Sequence, residues 1–248
     1  MTVSGYDTLH QWRPSPLEGL RHTLTEANLA RHWGTTPSRV LDVAGGNGLA
    51  AVRLAAKGHE VTVLDPAGAM LSSAIQVAEA HGVADRMHVV QAGAHDAPEV
   101  FVDHDFDLVL CHNLLHYGES REERQSVLRA ITTPLRAGGL LSVLGPNDDF
   151  EPVRAAVRDR APDLALRELD GVAPTWATPC TVGEIVASLA AIGMDEVVRY
   201  GVRCVTDLLP DAGEDPALLA DLERLELALS DRMPHLLTAR YFHLIARR

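Results

Sequence analysis

From residue 39 to residue 146 the chain repeats one hydrophobic pattern. Short apolar runs at Val40–Val43, Val61–Leu64, Phe106–Cys111 and Leu140–Leu144 suit strands buried on both faces, and Met87–Gln91 reads as a shorter strand. Between them apolar residues recur at three- and four-residue spacing. Leu49, Val52, Ala55 and Ala56 mark a helix over 48–57, and Met70, Leu71, Ala74, Ile75, Val77 and Ala78 mark one over 67–81. A charged amphipathic pattern predicts a third over 120–133, with Arg121, Arg124 and Arg129 on a solvated face. Strand and helix in alternation predict an α/β fold, a parallel sheet joined by right-handed crossovers.

The flanks carry weaker signals. Ser15 suits an N-cap, with Pro16 at the first helical position and Glu18 three residues on from Ser15, so 16–33 reads as a helix with Leu17, Leu20, Leu24 and Ala27 on its apolar stripe. Residues 1–15 look irregular. Residues 147–180, with Pro152, Pro162, Pro174 and Pro179, predict a small helical cap inserted in the core. A helix over 181–192, a strand over 196–206, a helix near 216–230 and a strand over 239–246 follow, and the tail is expected to supply an antiparallel edge pair. No linker divides the chain, so residues 1–248 are expected to form one domain, with 1–33 and 147–180 bordering its pocket.

The first strand runs into Asp42-Val43-Ala44-Gly45-Gly46-Asn47-Gly48 and then directly into a helix. A strand, a glycine turn and a helix make a nucleotide-binding crossover, because the backbone turns sharply and a ligand must approach it without a Cβ in the way. The next strand ends in Asp65-Pro66, an acid placed to accept hydrogen bonds from ribose hydroxyls. Later strand ends carry Ala94-His95-Asp96 and His112-Asn113. All these loops belong to the carboxyl edge of the sheet, where such folds bind ligands.

Charge narrows the partners. The net charge is −12 and Lys57 is the only lysine, which disfavours a broad surface for nucleic acid or anionic membrane. Cys111, Cys180 and Cys204 are scattered, so a reduced, cytoplasmic protein is expected. His112 and His116 lie four apart but have no identifiable third ligand, so no metal site is expected. His235 and His243 fall in the tail, where structural roles are expected.

At the glycine turn the sequence resembles the class I S-adenosylmethionine (SAM) methyltransferases, whose Asp-x-Gly-x-Gly-x-Gly stands here with Ala44 in place of the first glycine. The resemblance implies a Rossmann-like, mostly parallel seven-stranded sheet with helices on both faces, and SAM as cofactor. Within that class the chain looks like the bacterial tRNA carboxymethoxyuridine carboxyl methyltransferases. The stretches that carry this are Leu20-Arg21, Ala78–Met87, Tyr200-Gly201-Val202-Arg203, Leu222-Glu223 and Ala239–Arg247. By that resemblance Arg21 contacts the cofactor carboxylate, and Ala44 and Gly45, beside Asp42 and Gly46, face its aminoacyl part. Asp65 and Pro66 hold the ribose, Ala94 and His95 the adenine, and His112 sits by the methionyl end.

The acceptor side departs from that pattern. Where the family has a Glu-Trp pair this chain has His116-Tyr117, and Glu26 replaces a common aromatic. The first expectation is therefore a small-molecule acceptor, with His116 as general base or orienting group and Glu26 and Tyr117 beside it. A tRNA-modifying methyltransferase and a non-catalytic SAM-binding module are the alternatives. His116 as a plain helix-start residue stands level with its catalytic reading.

Overall fold

The computed structural model describes residues 15–103, 105–170, 180–209 and 212–248. Tyr6, Trp12 and Arg13, and the part of the expected insertion at 171–179, lie outside the described residues. The strands are β1 (Arg39–Val43), β2 (Glu60–Leu64), β3 (Met87–Val90), β4 (Phe106–His112), β5 (Leu135–Pro146), β6 (Asp195–Val202) and β7 (Tyr241–Arg247). They form one sheet in the order β3-β2-β1-β4-β5-β7-β6. The first five strands pair in parallel, and β7 runs antiparallel to both β5 and β6. The expected antiparallel pair is present, with β7 between β5 and the edge strand β6.

The helices are α1 (Pro16–Ala30), α2 (Leu49–Ala55), α3 (Gly68–Ala80), α4 (Ala97–Val100), α5 (Arg121–Thr132), α6 (Phe150–Val157), α7 (Pro162–Leu169), α8 (Val182–Ala191) and α9 (Pro216–Leu229). Side chains alternate across the pleat of the central strands. Leu41, Val43, Val109, Cys111, Leu141 and Val143 join one apolar cluster, and Val40, Leu108, Leu110 and Leu140 join the other. Truncating a solvent-inaccessible leucine such as Leu41 or Leu108 to alanine costs about 2–5 kcal/mol at sites of this kind.

Four local departures from the sequence expectations have physical causes. Helix α1 begins as expected, Ser15 Oγ accepting from the Glu18 amide at 3.3 Å. It ends at Ala30 rather than 33, and Arg31 reaches across to Asp231 at 2.7 Å. Strand β5 starts at Leu135, five residues before the expected Leu140, because Leu135 pairs with Phe106 while Leu140 pairs with Leu108. The intervening residues bulge out through Gly138 at φ +73°. Strand β6 stops at Val202 instead of 206. Arg203 turns the chain at φ +62°, and the buried Glu226 carboxylate accepts from the Val205 and Thr206 amides at 2.9 and 2.8 Å. Those amides are thereby unavailable to a strand ladder. Arg124, placed on a solvated face by its charge pattern, is buried and donates to the Gly118 carbonyl at 3.1 Å.

The parallel register places Val43 opposite both Leu64 and Cys111, so β1, β2 and β4 end together. Their carboxyl ends open on one side of the sheet, and the functional site is built there.

Candidate functional site

A cavity of about 440 Å³ lies at this edge. Its walls come from the turn after β1 (Ala44, Gly45, Gly46), the turn after β2 (Asp65, Pro66), Ala94 after β3, His112 at the end of β4, and Arg21 on α1. Its size falls in the ordinary range for small-ligand pockets.

The glycine turn is shaped by three left-handed residues, Ala44, Gly46 and Gly48, at φ +55°, +56° and +71°. Ala44 thus shows what the glycine of the resembled motif is for. The position needs a conformation that costs an L-residue roughly 1–2 kcal/mol, so the issue is backbone freedom rather than size. Gly45 is required for a different reason. A Cβ there would sit 2.7 Å from Asp42 Oδ2 and 2.9 Å from Val63 Cγ1.

Two carboxylates face this turn. Asp65 is buried; its Oδ2 accepts from the Gly46 amide and its Oδ1 from the Ala67 amide, both at 2.9 Å. Each oxygen keeps a lone pair for a further donor. Asp42 is buried with no hydrogen-bond partner on Oδ2. Burial, reinforced by the Asp65 charge, pushes its pKa up to about 7, while the Arg21 guanidinium works the other way.

The histidines behave differently from one another. His22, on α1 beside Arg21, lines the cavity and was not anticipated; helical periodicity placed it off the apolar stripe and gave no further signal. Its Nε2 lies 3.2 Å from Arg21 Nη2, and burial followed by the Arg21 and Arg53 charges lowers its pKa to about 3. His112 lines the cavity and contacts Ser142 Oγ through Nε2 at 2.8 Å. Burial first, then His243, holds its pKa well below the usual histidine range. Asn113, placed by the sequence in the same strand-end loop as His112, lines the cavity and turns the chain out of β4 at φ +54°, a conformation asparagine tolerates better than most residues.

On the acceptor side the expected group is split. Tyr117 lines the cavity, and the His116 ring stands against it with centroids 4.0 Å apart. Burial lowers the His116 pKa. Glu26 does not join them. Its carboxylate is held by Arg53 and Lys57, and it borders a separate small void of about 20 Å³. His95 is exposed and outside the cavity lining, whereas its neighbour Ala94 is in it. Among the described residues no group of three His, Cys, Asp or Glu side chains is placed to hold a metal ion.

Residues 40–139 match the family model described as a methyltransferase domain. Over 226 residues the chain is 29% identical to the tRNA 5-carboxymethoxyuridine methyltransferase of Escherichia coli K12, spanning 87% of this chain and 82% of that relative. Residues 40–139 are thus a methyltransferase domain. Solved structures agree with the methyltransferase in fold. Magnesium protoporphyrin IX methyltransferase from Synechocystis PCC 6803, with bound S-adenosylhomocysteine (SAH), gives a TM-score of 0.61 at 15% identity, over 94% of this chain and 85% of that one. A [4+2]-cyclase gives the same score at 21% identity, over 92% and 81%. At these identities the likeness concerns the fold alone.

The cavity of the methyltransferase fits the cofactor on structural grounds. The unpartnered Asp42 Oδ2 complements a cationic ligand, the Gly45 position leaves backbone open where a side chain would intrude, and Asp65 retains acceptor capacity for hydroxyls. No helix among the described residues is long and apolar enough to cross a membrane.

Proposed function

We propose that the methyltransferase acts on a small-molecule acceptor in the cytoplasm. One observation carries this reading: Arg21, which lines the cavity, and the cationic side chains on the elements packed around helix α1 are compensated by carboxylates. Arg21, Arg203 and Arg240 surround the Tyr241 ring at 5.9, 5.8 and 5.5 Å from its centroid. Glu18 pairs with Arg21 at 2.9 Å and with Arg203 at 3.4 Å, and Asp207 pairs with both Arg203 and Arg240. Glu26 occupies Arg53 and the only lysine, Lys57. A phosphate backbone binds by exchanging its condensed counterions, which are released to solvent, for free Lys and Arg side chains. Here it would compete with resident carboxylates, against a net charge of −12.

In this reading Asp65 and Pro66 hold the cofactor ribose, Ala94 the adenine side, Arg21 the carboxylate, and Ala44, Gly45 and Gly46 its aminoacyl chain. Asp42 meets its cationic part and His112 borders the methionyl end. When bound, SAM supplies an electrophilic methyl group on a positively charged sulfur. The chain's own residues must align an acceptor with it, and positioning of this kind is worth roughly 7–11 kcal/mol. Helix α1 borders the cavity through Arg21 and His22, whereas the described residues of α6 and α7, expected to border it, are outside its lining. Tyr117 forms one wall, and the neutral His116 behind it takes the acceptor proton.

The second reading, a tRNA acceptor, is favoured by the E. coli relative, whose likeness extends over 87% of this chain. The deciding assay offers labelled SAM with total tRNA and, separately, with a panel of small acids, phenols and amines. Methyl transfer to a small acceptor with none to tRNA is expected. Saturable transfer into tRNA refutes the proposal. Cofactor binding without turnover on either set favours a binding module.

A further inference from the structure

We infer that Ser142 and His243 hold His112 in the tautomer that carries its proton on Nδ1, so that His112 presents a hydrogen-bond donor to an oxygen of the ligand in the cavity. The three residues stand on adjacent strands. His112 ends β4 opposite Leu144 of β5, and Leu144 in turn faces His243 of β7. Directly paired residues project from the same face of a sheet, and Ser142 lies two residues before Leu144, so all three side chains share one face. Ser142 Oγ lies 2.8 Å from His112 Nε2 and 2.8 Å from His243 Nε2. Ser142 and His243 are both 0% exposed.

A hydroxyl has one proton to donate. If Ser142 donates to one ring it must accept from the other, and a neutral imidazole carries its proton on one nitrogen only. Both rings are neutral at working pH, since burial lowers His243 to about 3 and holds His112 well below its usual range. Two arrangements remain that satisfy the hydroxyl on both sides. The far nitrogen, His243 Nδ1, chooses between them, because it is buried with no hydrogen-bond partner. Were His112 the donor to Ser142, His243 would have to carry its proton on that Nδ1, leaving a buried N–H without an acceptor. Orphaned buried donors are rarer in proteins than under-satisfied acceptors. The favoured arrangement runs the other way: His243 Nε2–H donates to Ser142, Ser142 donates to His112 Nε2, and the His112 proton resides on Nδ1.

His112 lines the cavity while its Nε2 is engaged by Ser142, which leaves Nδ1 as its nitrogen for the ligand. His112 is then a donor of fixed polarity rather than a base, suited to a carboxylate or other oxygen and unsuited to an ammonium. Ser142 and His243 act as positioning residues, without touching the ligand. Only the final step rests on the cavity being the cofactor site; the tautomer itself is a property of the ligand-free protein.

The test is a long-range proton–nitrogen correlation spectrum of the histidine rings in the full-length, isotope-labelled, ligand-free protein at neutral pH. His112 is expected to show a protonated-type Nδ1 and a bare Nε2, with His243 the reverse. Ser142→Ala is expected to release His112 into a mixture of tautomers and to weaken SAH by up to about tenfold by calorimetry, a hydrogen bond's worth. Ser142→Thr, which keeps the hydroxyl, is expected to keep the single tautomer. A wild-type His112 protonated on Nε2 overturns the inference whatever the variants do, and so does Ser142→Ala with the His112 tautomer unchanged. Failure of the wild-type protein to bind SAH, with the tautomer as expected, would strike the cofactor assignment and leave the tautomer standing.

Discussion

With Asp42 facing the cationic part of the cofactor, as proposed above, cofactor affinity is expected to depend on pH with a definite sign. Its carboxyl is buried, Oδ2 has no partner, and burial with the Asp65 charge raises its pKa to about 7 from an ordinary 3.8. A cation placed beside it favours the ionised form, so ligand binding must lower this pKa and release a proton. Each unit by which it falls is worth 1.36 kcal/mol, or about tenfold in affinity. Affinity for SAM is therefore expected to rise by roughly tenfold per pH unit from about pH 5 and to level off above about pH 7. The neighbouring histidines do not mimic this, since His22 and His112 are lowered out of the window.

For the ligand-free protein the sign reverses. An acid whose folded-state pKa is raised binds its proton more tightly when folded, so its stability contribution declines as pH climbs from about 4 to about 7, by an upper bound of about 4 kcal/mol. Calorimetry in two buffers of different ionisation enthalpy counts the proton directly; close to one should be released per site near pH 6. Asp42→Asn should flatten the affinity profile and stabilise the unliganded protein above pH 7. A pH-independent wild-type affinity, or the same slope in Asp42→Asn, refutes the reasoning.

Asp65→Ala removes the carboxylate that holds the Gly46 and Ala67 amides and, on the proposed assignment, the acceptors for the ribose hydroxyls; charge-assisted bonds of about 1.5–3 kcal/mol predict a ten- to hundredfold loss of SAM affinity by calorimetry. Ala44→Gly relieves the left-handed strain at φ +55° but adds freedom to the unfolded chain, so a net gain of up to about 1 kcal/mol is expected in urea unfolding, and a loss of stability would contradict the strain. His116→Ala should cost at least about 10²-fold in turnover with SAM affinity near normal, whereas Glu26→Gln, already committed to Arg53 and Lys57, should leave turnover within a few-fold. Normal turnover in His116→Ala would make that ring a packing residue.

What the sequence made legible was local. Val40, Leu41 and Val43 announce a strand because both of their faces are covered, and Ser15-Pro16 announces a helix start because the cap and the amide that donates to it lie three residues apart. Asp65 and the glycine turn, which the structure joins through the Gly46 amide, stood out because each directly follows a strand marked by its own apolar run. The early start of β5 was hidden because Arg136–Gly139 is polar and glycine-bearing, and only pairing with Phe106 recruits Leu135. The premature end of β6 depends on Glu226, twenty residues beyond Thr206. At the site, Ser142 lies 30 residues from His112 and 101 from His243, and nothing in spacing couples them. Glu26 was misplaced because periodicity reveals which face of α1 it occupies but not that Arg53 and Lys57 of the next crossover claim it.

Strand β7 follows every other strand in sequence yet lies inside the sheet, between β5 and β6. During synthesis, β5 and β6 are made before the strand that fills the gap between them, and each meanwhile presents a row of open amides and carbonyls. The glycine turn, Asp65 and His112 have all emerged by then, but His243 arrives only with β7. A nascent chain can thus possess the walls of the cavity before His112 has its finished hydrogen-bond chain. Competence at that position becomes a late event, tied to closure of the sheet, so an incompletely folded molecule is disadvantaged in retaining a ligand.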